Sequence, residues 1–471
     1  MTARYTAAML AVTSFLAACL ALPPSQPAEV AQRISPDRLL TDVATLANFG
    51  TRHTLSDTES PTRGIGAARR WIKAEFEKVS PHLEVRFEEF DAPKSQRLPN
   101  GARVVNVVAV LPGSTPQGRA RAYYVVGHYD SRNADAMDAA GDAPGANDDA
   151  SGTAVVLEIA RALQGKPLES TVVFLCTAAE EQGLVGAAYH AAHVTSDKPY
   201  EIMGVLNNDI VGDPWGEHHP LLERDAKPRL DGAPDPANTV RVFSEGIPRN
   251  PPASQLADIR AISSEFDSPS RQLARFVAEV ADRHAAPSAT TPTTFRPTLV
   301  FRPDRFLRGG DHSAFNERGI PAVRFTVVHE DYSRQHANVT LRPGSSGHAE
   351  PYGDVTRFVD AHYMARVARL NAMTLVHLAN APAAPKNVRI LTKELVTDTT
   401  LKWSPNTEPD LAGYSLLWRA TTDATWTHSR DLGNVTEITV PLSKDNLFFG
   451  VRAIDKDGYM SPVTFAGSAT E

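Results

Sequence analysis

Six short apolar runs, rich in valine, constrain this chain more than any other feature. They are Val104–Leu111, Tyr123–Gly127, Thr171–Leu175, Ile202–Leu206, Thr298–Phe301 and Ala322–Thr326. At four to eight residues each, they suit strands buried on both faces and are too short for ordinary helices. Helical patterns lie between several of them, such as Gly152–Leu163 and Pro269–His284. Two more, Asp37–Asn48 and Arg63–Lys78, precede them, and Val355–Leu378 closes the series. Strands alternating with helices predict an α/β domain built on a mixed, mostly parallel sheet flanked by helices. The Pro-rich stretch Pro214–Pro269 is expected to form irregular loops over its surface.

Composition narrows the class. A chain of 471 residues with 42% hydrophobic and 22% charged residues can bury sizeable cores, so disorder is excluded as its main state. A net charge of -7 carries no basic footprint for nucleic acid. Two cysteines cannot build a disulfide scaffold. One of them, Cys176, sits in an apolar run and is expected to be an inert core thiol.

The N-terminus is expected to be an address. Arg4 precedes the apolar run Ala7–Ala18, which is too short to span a bilayer. Residues 1–18 therefore predict a signal peptide. The run closes on Leu16-Ala17-Ala18-Cys19, which resembles a bacterial lipobox and implies a lipid anchor on Cys19; plain signal cleavage is the alternative. Either way the protein is expected to be exported, to the cell envelope or beyond. Residues 19–34 are expected to form a tether and 35–380 the α/β domain, with 381–385 as a Pro-rich linker. Residues 386–471 switch to short alternating strands and resemble a fibronectin type III sandwich, with Trp403 and Tyr414 in its core. Such a module is expected to act as a spacer or adhesive element, with no specified partner, and to carry no chemistry of its own.

The chemistry gathers where the apolar runs end. His128 and Asp130 follow the second run. Asp148 and Asp149 precede the helical pattern from Gly152, and Glu180-Glu181 follow the run through Cys176. Asp209 follows the run through Leu206, and His336 lies beyond the last run. In open α/β sheets, ligands bind in the crevice at the carboxyl ends of the strands. Imidazoles and carboxylates without thiolates suit a catalytic zinc site better than a closed structural one. His128, Asp148, Glu181, Asp209 and His336 supply five ligands from five segments, enough for two dications sharing a carboxylate. Glu180 would then be free to act as general base.

These motifs resemble a known family. His128-Tyr129-Asp130, Gly145-Ala146-Asn147-Asp148-Asp149, Ser151-Gly152, Glu180-Glu181, Gly183-Leu184, Asn208-Asp209 and His336 are similar to those of the secreted bacterial co-catalytic zinc aminopeptidases. These leucyl-type enzymes are related to glutamate carboxypeptidases and glutaminyl cyclases. The likeness covers about Ser35 to Leu378. It implies two zinc ions per chain and peptide substrates with a free amino terminus. His128 and Asp209 would hold one ion and Glu181 and His336 the other, with Asp148 bridging them. Asp130 would orient His128 through its second ring nitrogen. His53 and His312 would be packing residues rather than ligands. A tyrosine that directly precedes the last histidine in well-known members is Gln335 here, with Tyr332 nearby. A carboxypeptidase using Arg302, Arg305 or Arg308 to clamp a carboxylate, a cyclase, or a non-catalytic surface lipoprotein are the alternatives.

Overall fold

The computed structural model describes residues 25–219, 235–285, 295–306, 308–343, 348–393 and 395–469. The apolar N-terminal run and Cys19 lie outside them. The sheet has eight strands: β1 Glu84–Ala92, β2 Ala102–Leu111, β3 Arg121–His128, β4 Thr171–Thr177, β5 Glu201–Asn208, β6 Thr239–Ser244, β7 Arg296–Val300 and β8 Ala322–Thr326. Their order is β1-β2-β4-β3-β5-β8-β6-β7. The four central strands, β4-β3-β5-β8, are all parallel. β2 runs antiparallel to β4, and β6 antiparallel to β8.

Burial explains the short apolar runs. Along β3, Tyr123 and Val125 enter one core while Tyr124 and Val126 enter the other, as period-two geometry requires. The first core packs under the helices Pro36–Asn48, Gly64–Val79, Ser151–Ala162 and Ala361–Asn380. The second packs under Val185–Asp197 and the short helix His312–Asn316. Cys176 is fully buried, and burial pushes its thiol pKa up, so it stays protonated as the sequence suggests.

Three features differ from the sequence reading. β1 carries five acidic or basic side chains among nine residues, so it presents no apolar run; an edge strand tolerates this because one side lacks a partner. β6 lies inside the stretch read as irregular loop. Val240 and Val242 are buried, but Arg241 between them breaks the apolar signal while reaching Glu330. Residues 25–34, expected to belong to a tether, contain the helix Ser25–Gln32. Val30 and Ile34 enter the main core, and Arg369 of the closing helix bonds the carbonyls of Ala31 and Ile34.

Residues from 386 onward form two four-stranded sheets around a separate core, where Trp403 and Tyr414 meet edge to face at 5.4 Å. This β-sandwich is docked on the α/β domain. Arg419, almost fully buried, pairs at 2.8 Å with the buried Asp267, which also holds Arg275 at 2.9 Å. Trp426 donates to Gln272, and Arg121 pairs with Glu408.

Candidate metal centre and catalytic cleft

The four parallel central strands bring their carboxyl ends to one edge, and the site is built there. His128 is the last residue of β3 and Asp209 follows β5 directly. Glu180 and Glu181 lie just beyond β4, and His336 lies in the loop after β8. Asp148 lies in the turn before the helix Ser151–Ala162. That turn packs tightly: a Cβ on Gly152 would stand 2.1 Å from the Asn208 carbonyl oxygen, so no larger residue fits. Ala179, Ile210 and His336, all in the left-handed region, aim the backbone at the ligand positions. Such conformations concentrate at functional sites.

All five sequence-predicted ligands converge. Two groups have ligand atoms within 4.8 Å of one another: His128, Asp148 and Asp209, and Asp148, Glu181 and His336. Asp148 belongs to both. Its Oδ1 is 3.1 Å from His128 Nε2, and its Oδ2 is 2.9 Å from His336 Nε2. His336 Nε2 also lies 2.8 Å from Glu181 Oε1, yet both atoms are buried without a hydrogen bond. Two buried polar atoms this close without a hydrogen bond are what a pair of ligands for one cation would leave when the ion is not counted. Nitrogen and carboxylate donors without sulfur fit zinc.

Electrostatics agree. Burial alone would lower the His336 pKa, but Glu181 and Asp148 outweigh it and push it up to about 9. Burial raises Glu180 well above the ordinary carboxylate value, against the pull of His128. The Glu180 carboxylate has no hydrogen-bond partner among the described residues and lines a cleft of about 590 Å³ with Asp148, Glu181, Asp209, Gln335 and His336. Its neighbour is committed: Glu181 faces His336 and accepts from Arg132 at 2.9 Å.

Asp130 works differently from expectation. The Nδ1 of His128 bonds the backbone carbonyl of Asp130 at 3.1 Å, while the carboxylate stands 3.7 Å away. That carboxylate instead accepts the backbone N–H groups of Glu180 and Glu181, at 3.2 and 3.1 Å. It shapes the turn that separates the two glutamates. His53 and His312 belong to neither ligand group: His53 bonds the Ala136 carbonyl and His312 the Pro303 carbonyl.

Several residues outside the two ligand groups hold the site together. Asp149 accepts from the backbone of His128, Gly152 and Ile210, tying three segments together. Asp354 accepts the N–H groups of Asn147 and Asp148. Arg324, fully buried on β8, donates to Asp209 at 2.8 Å and to Asp304 at 3.0 Å. Only Asp149 had a local cue, an acid placed to cap the helix that begins two residues later.

Comparison with known proteins agrees with this geometry. Residues 106–231 match Peptidase family M28. A probable zinc metalloprotease of Leptosphaeria maculans is 41% identical over 438 residues, covering 92% of this chain and 95% of that protein. One from Pyricularia oryzae is 41% identical over 440 residues, covering 92% and 82%. These relatives are fungal, whereas the sequence motifs suggested bacterial ones. Among solved structures, the LapA aminopeptidase of Legionella pneumophila shares the fold, with a TM-score of 0.50 and 18% identity over 76% of this chain and 75% of that one. Extensive identity to the metalloproteases and a site of matching chemistry lead to one assignment: this chain belongs to peptidase family M28 and is a zinc metallopeptidase.

Proposed function

We propose that this chain is an exported di-zinc aminopeptidase. His128 and Asp209 hold one ion, Glu181 and His336 the other, and Asp148 holds both. The observation that carries this reading is the contrast between adjacent glutamates. Glu181 is engaged by His336 and Arg132, whereas Glu180 faces the same cleft unengaged. When bound, the ions supply Lewis acidity and lower the pKa of water.

The chain's own groups do the rest. Glu180, its pKa raised by burial, accepts a proton from the attacking water and delivers it to the leaving amine. Gln335 donates through Nε2 to Asp148 at 2.7 Å, and its Oε1 accepts from Arg308 at 3.2 Å. Arg308 can only donate and Asp148 can only accept, so the amide has one orientation. Its second N–H is free for the developing oxyanion, in the position where the resemblance places a tyrosine. The cleft volume falls within the small-ligand range of roughly 300–1,000 Å³, which suits trimming a chain end better than gripping a long chain.

The test is a panel of paired free and amino-blocked chromogenic substrates, with zinc measured alongside. Turnover confined to free amino termini at two zinc per chain supports the reading; turnover of blocked substrates refutes it. Export rests on the apolar run before Cys19, and the mass of the mature N-terminus tests it: a diacylglycerol on Cys19 is the expected result. The fibronectin type III reading of the C-terminal sandwich rests on its two four-stranded sheets and the Trp403–Tyr414 core.

A further inference from the structure

A second cavity of about 510 Å³ adjoins the catalytic cleft and shares Arg305 and Arg308 with it. Its walls are aromatic and cationic. Phe306 and Tyr332 are 78% and 64% exposed, rare exposure for large rings in a chain whose other aromatics are mostly covered. The Arg302 guanidinium lies 3.8 Å from the Phe306 ring centre and that of Arg308 lies 5.2 Å from Tyr332.

The arginines are not equivalent. Glu330 is buried between Arg241 and Arg305, and Asp304 also pairs with Arg305, so those two cations are neutralised within the fold. Arg308 stands 3.8 Å from Glu330 and its head is partly exposed. Arg302 is exposed and forms no ion pair among the described residues. Holding an uncommitted guanidinium over an aromatic ring keeps it oriented without cancelling its charge. A guanidinium in that state matches a carboxylate by charge and by its paired donors.

We propose that this cavity is a carboxylate-binding extension of the catalytic cleft, in which Arg302 and Arg308 receive a carboxylate carried by the substrate beyond the scissile bond. It rests on the aminopeptidase reading and adds a substrate class: short peptides that carry a negative charge on the leaving-group side. Carboxylates gather at the metal centre, while the adjoining cavity is lined by Arg302, which forms no ion pair among the described residues, and by the partly exposed Arg308, whose bond to the neutral Gln335 amide leaves its charge uncancelled. The carboxylate is either an acidic side chain or the terminal group of a dipeptide.

The experiment compares kcat/KM for three substrates with the same first residue: Leu-Ala-amide, Leu-Glu-amide and Leu-Ala with a free terminus. At least one carboxylate-bearing substrate should exceed the amide about tenfold, mainly through KM, equal to about 1.4 kcal/mol. The preference should shrink as salt rises from 0.05 to 0.5 M, in step with screening. Preference for the second substrate alone identifies an acidic side chain; for the third alone, a terminal carboxylate. Arg302→Glu, an exposed change that leaves the buried ion pairs intact, should reverse the order between Leu-Glu-amide and Leu-Lys-amide. Equal efficiencies in the parental enzyme, or an acidic preference that survives Arg302→Glu, would overturn the proposal. Hydrolysis of amino-blocked peptides alone would instead overturn the aminopeptidase reading, so the two failures are distinct.

Discussion

His336 Nε2 lies 2.9 Å from Oδ2 of Asp148, whose other oxygen faces His128 at 3.1 Å. One carboxylate therefore serves both ligand groups. Asp148→Ala should lower bound zinc more than any other single ligand change, because each ion loses a ligand. Elemental analysis should find well under one equivalent. Two full equivalents in that variant would refute the bridge.

The charge state of His336 predicts a proton count. Its pKa is raised to about 9, so the ion-free protein carries the proton at neutral pH. A zinc ligand must be neutral imidazole, so binding expels that proton. The raised pKa favours the protonated, ion-free site below about 9, so zinc affinity should rise with pH until that value is passed. Calorimetric titration with zinc at pH 7 in buffers of different ionisation enthalpy should report release of on the order of one to two protons per chain. Release near zero at pH 7 would contradict the assignment.

The β-sandwich is expected to be part of the folded unit rather than a loose appendage. Arg419→Ala removes one of two arginines from the buried Asp267. Breaking a buried pair costs about 3–5 kcal/mol, and the low end applies because Arg275 remains. Glu279 adds a pH signature. Burial would raise its pKa, but Arg452 and Arg283 outweigh it and lower it to about 2, against an ordinary 4.5. A depressed carboxylate contributes stability that is present above pH 4.5 and lost as pH falls toward 2. The stability difference between the parental protein and Glu279→Gln, from denaturant unfolding, should shrink over that window; a constant difference would refute the pairing.

The sequence made legible what depends on local pattern. The central strands are buried on both faces, so their apolar runs stand out, and ligands placed just after them share an edge once those strands are parallel. Edge strand β1 and the Arg-interrupted β6 lacked that signal. The support around the ligands was hidden for another reason. Arg324 meets Asp209 across 115 residues of sequence, and Asp354 meets Asp148 across 206. No local window contains both partners. Asp130 was placed correctly beside His128, but its carboxylate turned to the backbone of Glu180 and Glu181, a choice that only tertiary geometry fixes.

The central claim is that adjacent glutamates divide the work, Glu181 holding metal and Glu180 moving the proton. Glu180→Gln preserves shape but cannot accept a proton, so turnover should fall about 10²–10⁴-fold, roughly 3–5 kcal/mol of barrier. It should keep both zinc ions and a near-parental affinity for substrate. Glu181→Gln should lose zinc first, and activity with it, because it removes a ligand shared with His336 and Arg132. Zinc content and turnover of the two variants, measured side by side at one pH near neutrality, test this directly. Loss of turnover with zinc retained in Glu180→Gln is the predicted result; near-parental turnover in that variant with both ions bound would contradict the account.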